Sequence, residues 1–161
     1  MTAASNYLED KLLDHSLRYG TAPYTGASTV YVALFSTANS THVTALAAAL
    51  EANTTGTDAT TKFGYYEINN GSYARQSVTF AAAGTTTTGT IETNATVSFP
   101  VATANYQSAG STGAIVTHIA LMDGNGSSAN CLYYGALTTS KTVSSGDQFT
   151  VSSGNLSISL A

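Results

Sequence analysis

Three histidines, nine carboxylates and one cysteine are the side chains of this 161-residue chain suited to acid–base, nucleophilic or metal chemistry. His15, His42 and His118 are far apart in sequence. His118 alternates with Val116, Ala120 and Met122, which places it on a largely apolar strand face as either a hydrogen-bonded structural histidine or a ligand or base. Asp123 follows at an odd separation and so faces the other way. No serine occupies a Gly-x-Ser-x-Gly elbow, so a nucleophilic triad has no sequence mark. Asp123-Gly124-Asn125-Gly126-Ser127 starts like a calcium loop with oxygens at alternate positions. Ser128 stands where such a loop needs glycine, and no terminal glutamate follows, so the segment reads as a turn between strands. Glu51, Asp58, Glu67, Glu92 and Asp147 are single and scattered, whereas glycoside hydrolysis needs two carboxylates held together. Cys131 has no second cysteine to bridge to, and beside Leu132, Tyr133 and Tyr134 it reads as a packed strand residue. No catalytic, cofactor-binding or metal-ligating residue is assigned, and the chain is expected not to be an enzyme.

Arg75, in Gly71-Ser72-Tyr73-Ala74-Arg75-Gln76, is the remaining candidate. A lone arginine in a charge-poor β segment must find acceptors, and its planar fork suits carboxylates or backbone carbonyls. Tyr73, its alternation partner, is placed to stack on it. Ligand binding, a structural role and subunit bridging are the readings open to it.

Bulk composition narrows the classes further. Only 9% of the chain is charged while 43% is hydrophobic, and the net charge is -4 with a pI near 5.0. No Lys/Arg cluster exists to displace counterions from a nucleic acid. No apolar run reaches the roughly 20 residues that span a bilayer. The opening Met1-Thr2-Ala3-Ala4-Ser5 lacks the features of a signal peptide, so synthesis in a cytoplasm is expected. The polarity comes from Ser, Thr, Gly and Asn, which coat the outer faces of antiparallel sheets.

These residues must be positioned by a mainly β fold, and the length fits one domain over residues 1–161. Residues 6–19 predict an amphipathic N-terminal helix, with Asn6 as cap, Glu9 three positions on, and Gly20 as terminator. Leu8, Leu12, Leu13, Leu17 and Tyr19 form its apolar arc, and Asp14 and Arg18 a favourable i,i+4 pair. The arc is expected to dock on a sheet, with a neighbouring subunit as a further partner. Residues 29–36 read as a strand buried on both faces and covered by this helix. Residues 44–52 suggest a second short helix capped by Thr44, inside an insertion-like loop at about 38–66. Further strands are expected at 72–80, 95–99, 115–122, 132–137, 148–151 and 156–160. Thr-Val-Ser-Ser-Gly occurs at 142–146 and again at 150–154, which suggests successive arms of a meander. The whole predicts an antiparallel β-sandwich or small barrel with one N-terminal helix.

The blocks NYLEDKLLDHSLR, TVYVALFS, NNGSYARQSVTF, VSFPVA, VTHIALMD and YYGALTTSKTVSSGDQFTVSSGNLSISL, in that order, resemble a family of small tailed-bacteriophage virion proteins. Members carry tail-fibre labels or are placed on the head as decoration (cement) proteins. The resemblance implies a structural virion component with no catalytic residues. Capsid decoration is the expected role, because no coiled coil, collagen-like repeat or fibre shaft is evident; a tail-fibre or tail-tip subunit contacting the host is the alternative. The implied partners are further copies of the chain, with a trimer as the expected form, and the major capsid protein or other virion proteins. An edge strand or the apolar helix would supply the subunit contact.

Overall fold

The structure is a computed structural model and describes residues 3–18, 24–54, 63–85, 87–111 and 113–159. The chain runs β1 (Ala3–Ala4), α1 (Asn6–Leu17), β2 (Val30–Phe35), α2 (Ser40–Glu51), a short 3-10 turn (Phe63–Tyr65), β3 (Gln76–Val78), β4 (Thr90–Glu92), β5 (Val97–Ser98), β6 (Ile115–Met122), β7 (Cys131–Thr142), β8 (Thr150–Val151) and β9 (Ser157–Ser159). An antiparallel sheet of order β1-β7-β6-β2-β3 forms the centre, and two ribbons, β4-β9 and β5-β8, accompany it. Among the described residues the fold is mainly β and antiparallel with two helices, as the sequence indicated.

Strand β2 shows why the central sheet is buried on both sides. Val32 and Leu34 point into one core with Ile119 and Leu121 of β6 and with Val97, Phe99, Phe149, Leu156 and Ile158 from the ribbon side. Ala33 and Phe35 point into a second core with Leu46, Ala49 and Leu50 of α2, Phe63 and Tyr66. Burial of each large apolar side chain here contributes about 1.5–3 kcal/mol. The layers are therefore ribbons, sheet and α2. The expected cover by the N-terminal helix is corrected: α1 packs beside β7, and Leu8 is its one buried side chain. Leu12, Leu13 and Leu17 are 36%, 56% and 77% exposed.

Helix starts lie earlier than expected. Ser5, not Asn6, caps α1, because β1 draws residues 3–5 onto β7: Ser5 N–H donates to Leu132 O at 3.0 Å and its hydroxyl to Cys131 O. The helix ends at Leu17 among the described residues; Tyr19 and Gly20 lie outside them. The Asp14–Arg18 pair forms at 3.0 Å. Asn39, not Thr44, caps α2 by accepting from His42 N–H at 3.0 Å, and Thr44 lies inside the helix with its hydroxyl on Ser40 O. The interval 38–66, expected as an insertion-like loop, thus supplies one wall of a core; its residues 55–62 lie outside the description. Asn53, in the left-handed region at φ 53°, closes the helix as Asn53 N–H bonds Leu50 O and Thr54 N–H bonds Ala49 O.

Two register breaks redirect side chains. Between the pairs Val116↔Lys141 and His118↔Ala136, Thr117 alone stands against residues 137–140 of β7. The break puts Val116 into the ribbon-side core with Ile119 and Leu121, so Val116 does not share a face with His118 as alternation had implied. It also loops Thr138, Thr139 and Ser140 out into solvent. Strands β1 and β4 went unforeseen because two or three residues carry no periodicity. The expected meander is corrected as well: β8 pairs with β5 and β9 with β4, and both Ser-Ser-Gly repeats are turns whose Gly146 and Gly154 have φ of 92° and 79°.

Candidate functional site

Where β3 stops pairing, the outward backbone groups of Leu34 in β2 need other partners. Leu34 C=O accepts from Ile68 N–H at 3.0 Å, and Leu34 N–H donates to the Tyr73 hydroxyl at 3.1 Å. That hydroxyl donates onward to Glu67 Oε1 at 3.0 Å. Arg75 grips the same carboxylate with Nε on Oε1 and Nη2 on Oε2, both at 2.7 Å. Its Nη1 donates to the carbonyls of Gly124 and Gly126, both at 3.1 Å. The side chains of Arg75 and Glu67 are only 7% and 13% exposed. Burial would lower the guanidinium pKa, but the hydrogen bonds and charge of Glu67 outweigh it and hold the pKa above its ordinary value. Desolvation, reinforced by the Glu67 charge, drives the Tyr73 hydroxyl well above the usual tyrosine range. Tyr73 does not stack on Arg75; its ring lies parallel to Phe99, with centroids 5.9 Å apart.

This network answers the calcium-loop question from an unexpected side. The carbonyls of the 123–130 turn do hold a cation, and the cation is Arg75. Asp123, the first oxygen donor of the supposed loop, accepts instead from Asn130 N and Nδ2, each at 2.6 Å. Asn130 in turn accepts from Asn53 Nδ2 at 2.6 Å, and Asn53 Oδ1 accepts from Cys131 N–H at 2.7 Å. The ion pair and the amide chain together tie residues 67–75, the end of α2 and the β6–β7 turn to one another. A shallow depression of about 300 Å³ lies over the ion pair, bordered by Asn125, Gly126 and Ser127.

The other candidates are dispersed. His118 is buried, with Nδ1 2.9 Å from Thr117 Oγ1, and desolvation lowers its pKa so that the neutral ring prevails near neutral pH. His42 on α2 holds Gly110 O at 2.9 Å and packs against Tyr66, with ring centroids 5.5 Å apart. His15 Nδ1 accepts from Tyr24 N–H at 3.2 Å. Glu51 accepts from the Tyr134 hydroxyl, whose pKa is raised by burial and by that carboxylate. Asp147 accepts from Ser144 N–H at 2.9 Å, and Glu92 lies in β4 opposite Ser157. Asp58 lies outside the described residues. The Cys131 thiol is buried, and desolvation pushes its pKa up to about 12, which leaves little thiolate for nucleophilic chemistry. Among the described residues, no three His, Cys, Asp or Glu side chains gather into a metal-holding group, and no helix is long and apolar enough to cross a membrane.

A second open feature has no counterpart in the sequence reading. A groove of about 740 Å³ runs between the β7 bulge and β8. Thr138, Thr139, Lys141, Thr142, Thr150 and Asn155 line it above Leu137 and Val151. The expected strand ended at 137, whereas β7 runs on to Thr142, and the four-against-one bulge that makes residues 138–142 a groove wall has no local sequence signal.

The model of the family described as Podophage GP4 fiber I protein gp80 matches residues 3–159. The chain belongs to this family. It is thus a member of a phage fibre structural family, which implies a place in the virion. No curated protein sequence matches the chain significantly.

Proposed function

We propose that this protein is a fibre subunit of a tailed-phage particle, working by fitting into an assembly and not by turning over a substrate. The supporting observation is the fibre family match over residues 3–159, taken with a fold in which Arg75, Glu67, Asp123 and Glu51 all hold the chain's own groups. Much of what the fold leaves outward is neutral: the α1 leucines, and a groove in which Thr138, Thr139, Thr142 and Thr150 stand beside Lys141 and Asp147. Contacts built on such surfaces depend little on salt. Self-association, as a trimer, and contact with other virion proteins belong to the same reading. A second reading, decoration of the head, draws support from the helices: at 12 residues each they are too short for a coiled-coil shaft. A shell-specific binder would stabilise the assembled head by linkage.

Antibody labelling of intact particles tests both. Label at fibres or at the tail is the expected result. Label spread over the head, with a raised disruption temperature when purified protein is added to undecorated heads, would replace the first reading by the second. Label nowhere on the particle would reject both.

A further inference from the structure

Three steps in the chain have the sequence needed for succinimide formation: Asn70-Gly71, Asp123-Gly124 and Asn125-Gly126. In each, the glycine amide nitrogen is free of side-chain crowding and can attack the preceding side-chain carbonyl carbon. The fold treats them differently. Asn70 is held at both ends of its amide, with Oδ1 accepting from Gln107 N–H at 2.8 Å and Nδ2 directed at Gln107 Oε1 at 3.5 Å. Gly71 is packed against the Ala104 carbonyl at φ 67°. Asp123 is held through both carboxylate oxygens by Asn130. Asn125 is exposed, its amide makes no hydrogen bond among the described residues, and the space beside Gly126 is open.

We propose that Asn125 is a self-modification site, where the exposed Asn125-Gly126 step cyclises and opens to aspartate or isoaspartate beside Arg75. The Gly126 nitrogen forms a bond to Asn125 Cγ, the Cγ–Nδ2 bond breaks, and ammonia leaves with the Gly126 amide proton. Water then adds across either imide C–N bond. Opening at the side-chain carbonyl gives aspartate; opening at the main-chain carbonyl gives isoaspartate, with one more carbon in the main chain. Both products add a negative charge at the rim of the depression that Glu67 and Arg75 floor. Isoaspartate does more. Residue 125 separates the two carbonyls, of Gly124 and Gly126, that hold Arg75 Nη1. An extra main-chain carbon between them breaks that paired hold and loosens the β6–β7 turn from Arg75. The modification acts as a clock on this clamp, and it holds whichever virion address the protein has.

The experiment is to age the purified chain in mildly alkaline buffer, map its peptides by mass spectrometry with isoaspartate detection, and melt the aged sample. Loss of the Asn125 amide with the Asn70 amide retained, and a fall in melting temperature absent from an identically aged Asn125→Gln protein, is the expected result. In denaturant the two asparagines should convert at comparable rates, which separates protection by the fold from sequence preference. Retention of the Asn125 amide, or conversion of Asn70 at an equal rate in the native protein, would overturn the site. Conversion at Asn125 with an unchanged melting temperature would overturn its link to the Arg75 clamp.

Discussion

The turn that faces Arg75 and the bulge of β7 are both polar, and they treat their polar groups in opposite ways. Around Arg75, guanidinium, carboxylate, phenol and two backbone carbonyls are all matched within the chain. In the bulge, Thr138, Thr139, Ser140 and Thr142 offer hydroxyls that no group of the described chain takes. The difference teaches how a chain with few charges divides its polarity. The ionisable groups of the clamp, Arg75 and Glu67, are turned inward, where desolvation makes an unmatched one costly. Neutral hydroxyls are left outward, where exchange between water and a partner costs little.

The sharpest way to break this contrast is to cut the clamp. Arg75→Ala leaves Glu67 buried and unpaired and should cost about 3–5 kcal/mol by denaturant unfolding. The paired change Arg75→Met with Glu67→Leu should recover most of that loss, since removing both charges removes the unmatched one. Equal losses for the single and paired changes would mean that the carbonyl contacts to the turn, and not the ion pair, carry the energy.

A smaller effect is expected from His118. Its folded-state pKa is lowered by burial, so below the ordinary histidine value of about 6.5 the unfolded chain binds the proton more readily. Stability should therefore be full at neutral pH and fall as pH drops below about 6.5, a slope that His118→Gln should flatten. Unfolding curves recorded over this range check the sign.

The smallest effect belongs to the bulge. Thr138→Ala and Thr139→Ala should each change stability by no more than about 0.5 kcal/mol. A larger loss would show that the bulge is as tightly integrated as the clamp, and the contrast between the two regions would fail.

The sequence disclosed these regions unequally, for physical reasons. β6 was legible to the residue because eight apolar-rich positions run unbroken between turn signals. β2 was legible as doubly buried because both of its alternating sets are apolar. What covers it was not, since α1 has the stronger amphipathic pattern yet α2 does the covering. Asn39-Ser40-Thr41 looked like loop because these residues favour helix caps over interiors, and here they are a cap and a first turn. Arg75 was flagged correctly as a group in need of acceptors, but Glu67 and the Gly124 and Gly126 carbonyls are tertiary neighbours that spacing does not reveal. The groove was least visible, because it depends on a register break between β6 and β7.

The central claim is that ionisable side chains maintain this fold and do not perform the protein's task. The most direct test is a panel of Arg75→Ala, Glu51→Gln, His42→Gln and His118→Gln proteins, each measured for melting temperature and for incorporation into particles that lack the wild-type chain. The account predicts that incorporation falls only where stability falls, most of all for Arg75→Ala. A variant that melts like the wild type yet fails to support particle function would contradict it.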